Sequence, residues 1–253
     1  MLSVEQALAR LLAQARRITD SEAVPTLAAH GRVLAAPVVS DIDVPPMDNS
    51  QMDGYAVRSL DVPAAPTTLR VTQRIAAGHV GAPLEPGTAA RIFTGAPVPP
   101  GADAIVMQED CVADGEKVTI NERPATGAWV RRAGVDVEAG QTVLAAGTRL
   151  RPQDLGLAAS VGVGDLTVHR RLRVAVFFTG DELMMPGEPL PPGRIYNSNR
   201  FVLRGLLEKL GCEVLDLGIV PDDRQRTREA FASAAVGADL IITSGGVSVG
   251  EED

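Results

Sequence analysis

The chain has 253 residues, 45% hydrophobic and 22% charged, a balance that excludes a disordered or fibrous protein. A folded chain of this length buries roughly 70–75% of its unfolded surface, in one large domain or in two to three small ones. With 32 acidic against 24 basic side chains, a net charge of -8 and 3% aromatic residues, it repels a phosphate backbone and has few rings to stack on bases, so no nucleic-acid partner is expected.

Cys111 and Cys212 are the only cysteines, too isolated for a disulfide framework or a zinc site, and a cytoplasmic location fits their reduced state. No apolar run is long enough to cross a bilayer, so no membrane partner is expected. At the N-terminus, Val4, Ala7, Leu8, Leu11, Leu12, Ala15 and Ile18 fall on one helical stripe, and Ser3 with Gln6 makes a capping box. A short amphipathic stretch follows from Thr26 to Ala36.

From Val44 to about Val135 the texture becomes β-like. Runs at 69–75, 104–108 and 117–120 alternate with proline and glycine turns, which predicts a β-rich inserted domain over 44–135. Its segment Val44-Pro-Pro-Met-Asp-Asn-Ser-Gln-Met-Asp-Gly-Tyr-Ala-Val57 joins a stiff proline entry to small polar side chains, and Asp53-Gly54 reads most simply as a turn. Residues 1–43 and 136–171 are expected to form a first unit, with an extended segment at 140–147 and a helix from Pro152 to Val161.

At Leu172 strands and helices begin to alternate, which predicts a doubly wound α/β domain over 172–253. The expected strands are 173–178, 213–217 and 240–243. A helix over 199–210 points Val202, Leu203, Leu206, Leu207 and Leu210 inward and stops at Gly211. A second helix starts at Asp222, with Gln225 completing its capping box. Right-handed crossovers then place the loops 179–182, 220–223 and 244–253 on one rim, and all three carry acids. Converging carboxylates suit Mg²⁺, which needs one or two protein oxygens besides a phosphate and water. Ser244-Gly245-Gly246 after a buried strand offers backbone N–H groups to an oxyanion.

Several segments, taken in order, resemble the molybdopterin molybdenumtransferase (MoeA and gephyrin E-domain) family. They are Pro45-Pro-Met-Asp-Asn-Ser-Gln-Met-Asp-Gly-Tyr-Ala-Val57, Ile92-Phe-Thr-Gly-Ala-Pro-Val-Pro-Pro-Gly-Ala-Asp-Ala-Ile-Val106, Thr179-Gly-Asp-Glu-Leu183, Ile195-Tyr-Asn-Ser-Asn199, Leu210-Gly-Cys212 and Thr243-Ser-Gly-Gly-Val-Ser-Val-Gly250. The resemblance implies an α/β and β multidomain fold: an elongated α+β first unit, an inserted β-rich domain and the N-terminal part of a MogA-like doubly wound domain. It also implies that the family's C-terminal β-barrel is absent here, together with a downstream lysine and a Pro-Gly-Asn-Pro motif.

For function, it implies molybdenum cofactor biosynthesis: Mg²⁺-dependent insertion of molybdate into adenylylated molybdopterin with release of AMP, by a homodimer. Carried over by motif, the catalytic positions are Asp53, Thr94, Asp136, Glu182, Asp222 and Asp253. Of these, Glu182, Asp222 and Asp253 form the expected metal set. Ser244, Gly245, Gly246 and Ser248 form the expected substrate-binding turn. The alternative, for a chain of this extent, is a non-catalytic pterin-binding or scaffold fragment of the same family.

Overall fold

The computed structural model describes residues 2–245. In chain order the longer elements are α1 (Val4–Gln14), β1 (Ser21–Pro25), β2 (Gly54–Val57), β3 (Thr67–Ile75), β4 (Thr88–Ile92), β5 (Ala104–Met107), β6 (Cys111–Asp114), β7 (Lys117–Ile120), α2 (Pro152–Ser160), β8 (Asp165–His169), β9 (Arg173–Thr179), α3 (Ser198–Leu210), β10 (Glu213–Val220), α4 (Arg224–Gly237) and β11 (Leu240–Ser244). They divide between two compact units. Unit 1 is Met1–Ala36, Ala146–Leu155 and Asp165–Asp253; unit 2 is Pro37–Ala145 and Gly156–Gly164. The fold is a multidomain mixture of α/β and β structure, as the sequence pattern predicts.

Unit 2 is organised by a six-stranded sheet in the order β5-β2-β4-β3-β7-β6, antiparallel except for the parallel pair β3 and β4. Strand alternation sends its side chains to two buried layers. Tyr55, Val57, Ala89, Ala104 and Val106 pack on one face with Leu69 and Val118, while Ala56, Ala90, Ile92 and Ile105 pack on the other with Ile75 and Leu84. Burial on both faces explains why β2, β4 and β5 read as apolar runs. Gly54 opens β2 rather than making a turn, contrary to the cheaper sequence reading. A Cβ there would stand 1.9 Å from the Val106 carbonyl oxygen on the neighbouring strand.

In unit 1, β1 pairs with β8 in antiparallel register. The stretch 26–36 is not a regular helix: only Thr26–Ala28 form a turn of 3₁₀ helix before the chain enters isolated bridges. The α/β part is a parallel sheet in the order β10-β9-β11. Val174, Val176 and Phe178 of the central strand pack with Leu207 and Leu203 of α3. On the opposite face the Phe177 ring meets Phe231 of α4 edge-on at 4.9 Å.

Two helix expectations need correction. Val202, Leu206 and Leu210 of α3 are more than half exposed, because only the pair Leu203 and Leu207, one turn apart, reaches β9. The N-cap of α4 is Asp223, whose carboxylate accepts the Arg226 N–H at 2.8 Å, and not Asp222. By contrast α1 has its capping box: the Ser3 hydroxyl accepts from Gln6 N–H, and the Gln6 side chain accepts from Ser3 N–H. It has no buried residue among those described.

Candidate functional site

Parallel register places three strand ends side by side, with Thr179 of β9 opposite Val220 of β10 and Phe178 opposite Ser244 of β11. The rim so formed is where an open parallel sheet binds ligands. Freed from the cap role, Asp222 turns to the next loop. Its carboxylate accepts the Asp181 N–H at 3.1 Å, and the Asp181 carboxylate accepts the Asp222 N–H at 3.3 Å. This reciprocal pairing fixes the two loops against each other and leaves carboxylate oxygens over. Glu182 folds its carboxylate back over Gly180, within 2.5 Å of where a Cβ there would stand.

On the third strand end, the Ser244 hydroxyl accepts a bond from the Asn199 amide at 2.9 Å. Gly245 has φ +114°, and a Cβ there would lie 2.2 Å from Thr179 Oγ1, so only glycine closes the turn this near the central strand. The Thr179 and Thr243 hydroxyls and the Asn197 amide nitrogen are buried and have no partner among the described residues. Each keeps hydrogen-bonding capacity that burial makes costly to leave unused. Gly246, Ser248 and Asp253 lie outside the described residues. The described residues contain no group of three or more His, Cys, Asp or Glu side chains placed to hold a metal. Glu182 and Asp222 each carry the hard oxygens that Mg²⁺ prefers, and one or two such ligands are enough for that ion. The donor set therefore fits Mg²⁺ and not a soft metal.

Unit 2 carries the other expected residues. Asp53 Oδ1 accepts both the Thr94 N–H, at 2.8 Å, and the Thr94 hydroxyl, at 2.7 Å. The backbone bond first, then the hydroxyl, holds the Asp53 carboxyl below the usual carboxylate range, with a smaller pull from the Arg91 charge. Asp136 is engaged differently: it forms an ion pair with Arg131, and its N–H donates to the Val44 carbonyl. Thiol chemistry is disfavoured, since burial pushes Cys111 up to about 11.

Asp181 and Asn199 were missed as candidate positions. Asp181 lies inside a rim loop and Asn199 inside a motif of the resemblance, but their roles depend on partners 41 and 45 residues away. Arg91 was missed because an arginine in an apolar run looks like a solvated edge residue. It donates to the Gly54 carbonyl at 2.9 Å, directly after Asp53.

Residues 2–162 match the model of the MoeA N-terminal region (domain I and II), and residues 175–253 match the probable molybdopterin binding domain. The whole chain is 44% identical to 63% of a molybdopterin molybdenumtransferase of Haemophilus influenzae, and 92% of it is 43% identical to 55% of the protein of that name from Nostoc. It thus spans less than two thirds of either relative. A crystal structure of a molybdopterin biosynthesis moeA protein from Pyrococcus horikoshii superposes with a TM-score of 0.89 at 35% identity, over 96% of this chain and 66% of that one. With both family models matched in order, and a second Pyrococcus MoeA crystal structure superposing at a TM-score of 0.86 and 34% identity over 97% of this chain and 64% of that one, the chain belongs to the MoeA family.

Proposed function

We propose that the chain acts in molybdenum cofactor biosynthesis, taking adenylylated molybdopterin and molybdate, releasing AMP and leaving molybdenum on the pterin dithiolene. The observation that carries this reading is the shared rim, where hard-oxygen side chains stand beside a glycine turn and buried hydroxyls without partners among the described residues. Ser244, oriented by Asn199, and the close turn at Gly245 offer a surface for the substrate's polar groups. The Thr179 and Thr243 hydroxyls are donors held in reserve for it.

Glu182 and Asp222 would hold Mg²⁺, and Asp253, which lies outside the described residues, belongs to the same proposed set. When bound, that ion neutralises charge on the phosphoryl oxygens where the phosphoanhydride breaks. Asp53, kept ionised by Thr94, is a fixed acceptor able to orient an attacking oxygen. Asp136 joins the reading through its motif, with Arg131 setting its position. Assembly as a homodimer is part of the same proposal, as is a cytoplasmic location.

The test is AMP release from adenylylated molybdopterin with molybdate, with and without magnesium. Asp222→Ala and Asp53→Ala should each lower the magnesium-dependent rate by about 100-fold, the scale of losing one preorganised electrostatic contact, with melting retained. Unchanged turnover in both variants would remove the assignment. Pterin binding without any magnesium-dependent AMP release in the parent chain would instead mark a binding module.

A further inference from the structure

Away from the rim, unit 2 holds a concentration of positive charge to which the proposed reaction assigns no ligand. Arg74 of β3 and Arg91 of β4 are direct partners in the parallel ladder. Like charges side by side in a sheet are destabilising unless something answers them. Both guanidiniums lie on the same ring, Phe93, at 4.3 Å and 4.6 Å from its centroid, and Arg91 also sits 5.2 Å from the Tyr55 ring. Lys117 of β7 lines the same open depression, of about 460 Å³, together with Tyr55, Thr72 and Gln73.

No carboxylate among the described residues comes within 4.0 Å of these three cations. Asp114 faces Lys117 across the β6–β7 ladder without forming an ion pair, and Glu116 lies in the same hairpin. Arg91 is positioned by neutral acceptors, the Gly54 carbonyl and, at 2.6 Å, the Gln108 side chain. Its place is fixed while no ion pair neutralises it directly, Asp53 feeling its charge only from further off, and a guanidinium has five N–H donors, so some remain for a ligand. In a chain of net charge -8, three cations without an ion pair at one depression are not explained by general surface composition.

We propose that this depression binds a tetrahedral oxyanion, through Arg74, Arg91 and Lys117, as a site separate from the rim. The ligand chemistry is that shared by the phosphate of a nucleotide and by an inorganic dianion of the same shape. Phe93 and Tyr55 hold the guanidinium faces, leaving their N–H edges for bidentate bonds to oxygen. The site stands whether or not the reaction assigned above is correct.

Calorimetric titration of the full chain with inorganic phosphate, with AMP and with molybdate, each at constant ionic strength in sodium chloride, tests this directly. A saturable site that depends on these cations is expected: the Arg74→Ala/Lys117→Ala double variant should lose it or bind there at least about tenfold more weakly, with its thermal melt retained. Arg74→Lys should also bind more weakly, because an ammonium cannot supply the two-pronged contact. Equal affinities for phosphate and AMP would identify the phosphate group as the ligand, and saturation by molybdate alone would identify the inorganic ion. Absence of saturable binding for all three, or equal binding by the parent and the double variant, overturns the proposal.

Discussion

An exposed carboxylate usually samples several poses, and Asp53 does not, because one residue 41 positions away grips a single oxygen with both its N–H and its hydroxyl. That grip favours the charged form, so its removal has a definite sign. Thr94→Val deletes the hydroxyl bond and keeps the backbone bond, so the Asp53 titration midpoint should rise yet stay below that of a free aspartate. Carboxyl carbon shifts followed by NMR across the acid range measure it, and an unmoved midpoint would show that the hydroxyl has no part in holding the charge. The sequence made Asp53 and Thr94 conspicuous through their motifs. What it could not display was the bond between them, since strand pairing across β2 and β4 decides which loops meet. The same pairing turned Gly54 from an apparent turn residue into a site of close strand contact.

Elements were legible where a short-range pattern was enough. β9, β10 and β11 stand out as apolar runs between helices, and α1 announces itself by Ser3 and Gln6. The start of α4 was ambiguous because two aspartates are adjacent: Asp222 has Gln225 at the capping-box position, while Asp223 has Arg226 N–H within reach. Backbone geometry selects the second. Asp223→Ala should therefore cost about 1 kcal/mol of stability through the lost cap, whereas Asp222→Ala gives up only an exposed bond to the Asp181 N–H and should cost less. Urea unfolding of the two variants separates them, and the reverse ranking would restore the cap to Asp222. The inward stripe assigned to α3 failed for a different reason: periodicity identifies an apolar face but not the width of the surface that covers it. Only the strip through Leu203 and Leu207 meets β9.

At the scale of the molecule, the parts of unit 1 are joined by polar as well as apolar contacts. Arg170, just after β8, makes two bonds to Asp239, at 2.7 Å and 2.8 Å, and a third to Asp20 at 3.0 Å. Asp239 also accepts the Arg173 N–H at 2.9 Å, so one carboxylate ties the start of β9 to the turn before β11. Nothing in the local sequence marks these residues as partners, because 69 positions separate Arg170 from Asp239. The guanidinium first, and the Arg173 N–H second, draw the Asp239 carboxyl down to about 2. An unfolded aspartate titrates near about 3.9, so this contribution is fully present above that pH and disappears as the pH falls through the folded value. Arg170→Ala should lower stability at neutral pH by removing the bonds that hold Asp239 charged. The penalty should shrink between about pH 4 and pH 2, where the parent loses the same interaction by protonation. Chemical denaturation of parent and variant across that window measures the difference. A penalty that stays constant down to pH 2 would mean that Arg170 stabilises the unit through the packing of its stem instead of through the charge on Asp239.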